Sequence, residues 1–165
     1  SDPYNIKRVK VVDAGNSAGR IIFIDNQNYN NGIQLNQING PESDLPVTFI
    51  FSALKPVVLT GTITGNVRMF FAGDFQFGMG TETVAYNGLT MFMSNGDMKI
   101  CSSIWSYKNN PGGGFLSSDK DITIVESASF QGQIQCRGNF KTSGLIQFND
   151  SVLKAPGFTV PKGMK

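Results

Sequence analysis

Residues 68–78 read RMFFAGDFQFG, residues 90–101 TMFMSNGDMKIC, residues 114–126 GFLSSDKDITIVE and residues 133–144 QIQCRGNFKTSG. Each segment sets two to four apolar or β-forming residues ahead of a small polar step, then Gly-Asp, Asp-x-Asp or Gly-Asn, and then resumes alternation. Asp74, Asp97, Asp121 and Asn139 mark that step, and by subtraction they stand 23, 24 and 18 residues apart. A period in this range points to one unit per coil of a solenoid. A unit so short cannot bury its apolar face alone, whereas stacked coils bury a continuous core. Like residues then ladder over like at the strand spacing of about 4.8 Å.

Within a coil, alternation sends one side chain inward and the next outward, and small residues turn the corners. Gly65, Gly73, Gly96, Gly132, Gly138 and Gly144 are the expected corners or bulges. In ITIVESASFQGQIQ (122–135) this places Ile122, Ile124, Ala128, Phe130 and Ile134 inside, with Thr123, Glu126, Gln133 and Gln135 toward water.

Upstream the texture differs. IKRVKVV, GRIIFID, GIQLNQI, PVTFIFSAL and VVLTGTITG read as short strands. DAGNSAG (13–19) and DNQNYNNG (25–32) are turn material, because Gly and Asn tolerate positive φ, and they predict hairpins. ESDLPVTF is the one weak helix candidate, cut short by Pro46. The expected fold is therefore all-β. Short antiparallel N-terminal strands (1–56) pack on the core and lead into a right-handed parallel β-helix-like solenoid (57–165), the whole forming one compact unit. An antiparallel β-sandwich fits the strand spacing as well.

Composition narrows the function classes. The chain has 165 residues, 19 of them Gly, and only 16% are charged, with Lys+Arg 14 against Asp+Glu 12 and scattered basic residues. That is no nucleic-acid footprint. No stretch approaches the ~20 apolar residues of a membrane span, so a membrane is expected only through a segment outside this chain. The opening SDPYN reads as a boundary left by removal of an anchor or signal.

The sequence contains no histidine, so Ser-His-Asp and Cys-His arrangements cannot form, and no enzymatic activity, metal site or cofactor is expected. Asp74, Asp97 and Asp121 would stack as a column on one face of a solenoid. Such a column suits a divalent cation or a carboxylate enzyme acting on polysaccharide, but each Asp would more simply close a turn on its own backbone. NNPGGGF (109–115) lacks the G-K-[ST] ending of a phosphate loop and reads as a mobile loop. Trp105, Tyr107 and Phe115 flank it and are the candidate ligand or partner contacts, as aromatic faces that hold a sugar or a protein surface. Cys101 and Cys136 form a disulfide or remain two buried thiols, depending on whether they lie on adjacent coils. MFFAGDFQF and TMFMS are apolar on both faces, so a second side of Phe70, Phe71, Met91, Phe92 and Met93 needs a cover: a helix, the N-terminal sheet or another subunit.

LTGTITGNVRMFFAGDFQFG, LTMFMSNGDMKI and DITIVESASFQGQIQCRGNFKTSGLIQF together resemble the β-helical regions of PilX-type pilus-assembly and minor-pilin-like bacterial surface proteins. They are similar, more weakly, to bactofilins, whose coils are shorter and more regular. The resemblance covers about residues 57–148. It implies a non-enzymatic structural or adhesive domain of a pilus-like or cell-surface assembly, located outside the cell or on a bacterial surface, or in the cytoplasm in the bactofilin case. Its partners would be other subunits, further copies of itself, or glycans. A carbohydrate-binding or phage-fibre-like recognition domain is the alternative.

Overall fold

The computed structural model describes residues 5–79, 84–86, 88–104, 114–125 and 127–148. The described residues form a parallel β-solenoid without a helix. The first coil is β1 (Lys7–Val9), β2 (Val12–Asp13) and β3 (Ile21–Ile24), and the second β4 (Ile33–Leu35), β5 (Ile38–Asn39) and β6 (Val47–Phe51). The third is β7 (Val57–Leu59), β8 (Ile63–Thr64) and β9 (Val67–Phe71), and the fourth β10 (Phe75–Phe77), β11 (Val84–Tyr86) and β12 (Thr90–Ser94). Then follow β13 (Met98–Ile100), β14 (Ser103–Ile104) and β15 (Gly114–Ser118), next β16 (Ile122–Ile124) with β17 (Ser129–Cys136), and last β18 (Phe140–Thr142) with β19 (Leu145–Phe148).

Three faces result. Face 1 is the seven-stranded sheet β1-β4-β7-β10-β13-β16-β18. Face 2 runs through β2, β5, β8, β11, β14, the first half of β17 and β19, and face 3 through β3, β6, β9, β12, β15 and the second half of β17. β17 serves both faces as one strand, bent at Gly132, whose φ is +142°. A side chain there would also collide with the carbonyl of Gly114 on the neighbouring coil. Successive partners on face 1, from Lys7 through Ile33, Val57, Phe75, Met98 and Ile122 to Phe140, are by subtraction 26, 24, 18, 23, 24 and 18 residues apart.

The antiparallel N-terminal region is overturned: β1–β4, β2–β5 and β3–β6 are all parallel, and β4 pairs with β7 in the same sheet. The sandwich alternative falls with it. The expected hairpins are corners instead: DAGNSAG carries the chain from face 2 to face 3 and DNQNYNNG from face 3 to the next coil. A corner uses the same positive φ as a hairpin, here at Gly19 (+73°) and Gly32 (+94°). ESDLPVTF makes a bend and then β6.

The core is a set of inward ladders. Leu35, Leu59, Phe77, Ile100 and Ile124 stack on face 1, Ile38, Ile63, Ala85, Ile104 and Phe130 on face 2, and Phe49, Met69, Phe92 and Leu116 on face 3. All are at most 1% exposed. At the corner between faces 3 and 1 the rings of Phe71 and Phe75 stack at 3.9 Å and 11°. Of the residues expected inside, Ile122, Ile124, Ala128 and Phe130 are buried and Ile134 packs at the core's margin. Gln135 is exposed and Thr123 and Gln133 are intermediate, while Glu126 lies outside the described residues.

Candidate functional site

The corner from face 3 back to face 1 repeats a four-residue phrase: FAGD (71–74), SNGD (94–97), SDKD (118–121) and CRGN (136–139). In SNGD the Ser94 hydroxyl accepts the Gly96 N–H at 2.9 Å and donates to the Gly73 carbonyl one coil back at 2.6 Å. Ser118 repeats both bonds, with the Lys120 N–H and the Gly96 carbonyl. The aspartates form a second column. The carboxylates of Asp74, Asp97 and Asp121 accept the N–H groups of Asp97, Asp121 and Asn139 at 2.9, 3.1 and 2.8 Å. The turn-closing role expected of them is therefore right in kind but wrong in partner, since each carboxylate is bound to the next coil's backbone rather than its own. Glycine precedes Asp97 and Asn139 because a Cβ at Gly96 or Gly138 would strike the carboxylate of Asp74 or Asp121.

Beside this column a shallow groove of about 230 Å³ lies on face 1, lined by Pro56, Val58, Asp74, Gln76, Asp97 and Lys99 among others. Its polar groups are partly committed: one oxygen each of Asp74 and Asp97 holds an amide, and Gln76 Nε2 donates to the Gly78 carbonyl at 2.8 Å. Among the described residues no three Cys, Asp or Glu side chains converge as metal ligands would.

Outside face 3 runs a second apolar cluster of Phe70, Leu89, Met91, Met93 and Phe115, with Ile50 packed against it. It realises the two-sided apolar character of MFFAGDFQF and TMFMS. Ile50, Phe70 and Met93 share one outward row, and Thr48, Arg68, Met91 and Phe115 the next. Arg68 Nε donates to the Thr48 hydroxyl at 3.0 Å, and burial pushes its guanidinium below the ordinary value. Both rows continue onto β3, where Ile21 aligns with Thr48 and Phe23 with Ile50. There the cover ends, with Ile21 59% and Phe23 72% exposed. A second groove of about 160 Å³, lined by Ile50, Ser52, Phe70, Met93 and Asn95 among others, marks the boundary.

Of the proposed contacts, Trp105 and Tyr107 lie outside the described residues. Phe115 is buried at 6% exposure within the outer cluster, as the strand partner of Met91. Both cysteines are free, the second of the two outcomes the sequence leaves open, with Cys101 buried and Cys136 only partly so. Cys101 follows β13 at the corner leaving face 1, whereas Cys136 ends β17 at the corner entering it. Adjacent coils are not enough when the two residues sit at different corners. Burial raises the Cys101 thiol above its ordinary value, with Lys99 opposing, while Cys136 Sγ donates to the Gly138 carbonyl at 3.5 Å.

Comparison with protein-family models, with curated proteins and with solved structures returns no match to this chain.

Proposed function

We propose that the chain is a non-enzymatic structural domain of a pilus-like or other bacterial cell-surface assembly, acting through protein contacts along its solenoid. The observation that carries this reading is the exposed end of the apolar outer row of face 3. Phe70, Met91, Met93 and Phe115 are buried, but the row ends on Ile21 and Phe23, whose exposure suits them to a protein surface. The hydrogen-bonded corner columns support it, since they tie each coil to the next through side chains as well as backbone. Immunogold labelling and protease shaving of intact cells test the location. Surface labelling that disappears in a deletion strain, together with loss of a surface structure or of adhesion, is the expected result. Confinement to the cytosolic fraction would overturn the reading.

The face 1 groove favours a second reading, recognition of carbohydrate, through Gln76, Asp97 and Lys99. A glycan array with Lys99→Ala as control tests it. Binding lost in the variant supports recognition, and no binding by either protein removes it.

A further inference from the structure

We propose that β3 is a self-complementary docking edge, on which a second copy of this chain pairs antiparallel across a two-fold axis. Among the described residues β3 pairs only with β6, leaving its other edge unpaired. Such an edge is a template for another strand. The inward residues of the first coil show that this end of the core is incompletely covered. Val9, Val12, Ile22 and Ile24 are only partly buried, while Leu35, Ile38, Phe49 and Phe51 one coil along are at most 1% exposed.

The sequence of the edge selects the occupant. Residues 20–25 read Arg-Ile-Ile-Phe-Ile-Asp, a four-residue apolar strand with opposite charges at its two ends, both exposed. Antiparallel pairing with Ile22 opposite Ile22 of the second copy keeps inward residues inward. It sets Ile21, 59% exposed in the single chain, directly against Phe23 of the second copy, 72% exposed, on the outer surface. Directly opposed apolar pairs of this kind are a stabilising unit of such a ladder. The contact is isologous and closes at two copies. The same axis exchanges faces 1 and 2, so β1, with Lys7 and Arg8, lies over β2 of the second copy, with Asp13. Head-to-tail stacking would instead set Arg8 over Lys141, since both belong to the outward column of face 1. Pairing at β3 also makes the apolar row of face 3 continuous through both copies. This deepens the assembly reading by naming one contact, but it fails or stands separately, because the test concerns only the purified chain.

Sedimentation velocity over a concentration series of the full chain is the experiment. A monomer–dimer equilibrium is expected, with Phe23→Lys weakening it at least about tenfold, as for an aromatic hot spot. Leu54→Lys, at an 81% exposed residue away from the edge, should change nothing. Ile21→Glu should weaken the dimer as well, and Ile21→Glu with Phe23→Lys in one chain should regain part of the loss, because the register sets the new carboxylate against the new ammonium, a rescue that misfolding cannot produce. A monomer at every concentration would overturn the proposal. So would a dimer indifferent to Phe23→Lys and to Ile21→Glu, and that result would assign the contact to another surface.

Discussion

The carboxylate of Asp74 accepts the backbone N–H of Asp97 at 2.9 Å, one coil further along the axis. Asp97 does the same for Asp121, and Asp121 for Asn139. The corner is thus joined by a side-chain column as well as by the backbone bonds from Phe75 N–H to the Asp97 carbonyl and from Met98 N–H to the Asp121 carbonyl. Asp97→Ala removes the acceptor for Asp121 and should lower stability by about 1 kcal/mol, the net worth of one such bond. Asp97→Asn, which keeps a carbonyl oxygen, should lose less. Urea unfolding of the three proteins measures the difference.

Gly96 in particular should be less replaceable than Asp97, although Lys120 fills the corresponding place in the next phrase. At Gly96 a Cβ would collide with the Asp74 carboxylate and lie 2.8 Å from the Asp74 backbone nitrogen. Gly96→Ala should therefore cost about 1–3 kcal/mol as overpacking against a rigid corner. Gly15→Ala is the control. Its new Cβ would meet only the Asp13 carboxylate at 3.5 Å, so the change should stay within about 0.5 kcal/mol.

Large apolar residues inside and outside the solenoid should behave oppositely. Phe92 is fully buried and meets the rings of Phe71, Phe75 and Phe77. Phe92→Ala should cost about 3–5 kcal/mol. Phe23→Ser, at an outward and exposed site, should leave the unfolding free energy of the isolated subunit within about 0.5 kcal/mol. Thermal and urea unfolding at concentrations below self-association check both.

The two thiols should separate chemically. Cys136 is partly exposed and should react with a thiol reagent in the native state, whereas buried Cys101 should react only on opening. The Cys101 thiol is raised above its unfolded value by burial, with Lys99 opposing. The neutral form is thus favoured in the folded state. Its contribution is fully present below the unfolded value and is lost as pH rises through the higher folded value. Stability should fall across that alkaline window, and less steeply in Cys101→Ala. Denaturant midpoints measured from neutral to alkaline pH decide this.

The part of the fold that could be read in the sequence is the part whose corners demand a particular chemistry. Asp74, Asp97 and Asp121 announce the coil length because each carboxylate holds an amide one coil on, that of Asp97, Asp121 and Asn139 respectively. The first two coils turn that corner by other means, through Asp25–Gly32 and Ser52–Pro56, so the phrase is missing and hairpins looked equally good. Ile122, Ile124 and Phe130 are legible as inward because alternation fixes the face within a strand. The cysteines were judged by coil count, although position around the coil decides which residues meet. Phe115 looked like a presented aromatic because of its loop neighbour. Its register with Met91 places it in the outer cluster instead.

One ladder runs unbroken along face 1 from Arg8 to Lys141. Arg8, Gln34, Val58, Gln76, Lys99, Thr123 and Lys141 are successive partners on face 1, six steps in all. At about 4.8 Å per step, nitroxide labels at positions 8 and 141 of a cysteine-free background should lie about 29 Å apart. The measurement is a pulsed dipolar distance on spin-labelled protein diluted in unlabelled chain, which removes signals between copies. A narrow distribution near that value is the predicted result. A distance well under about 20 Å, or one spread over tens of ångströms, would mean that the N-terminal residues fold back beside the solenoid and would contradict the single stack.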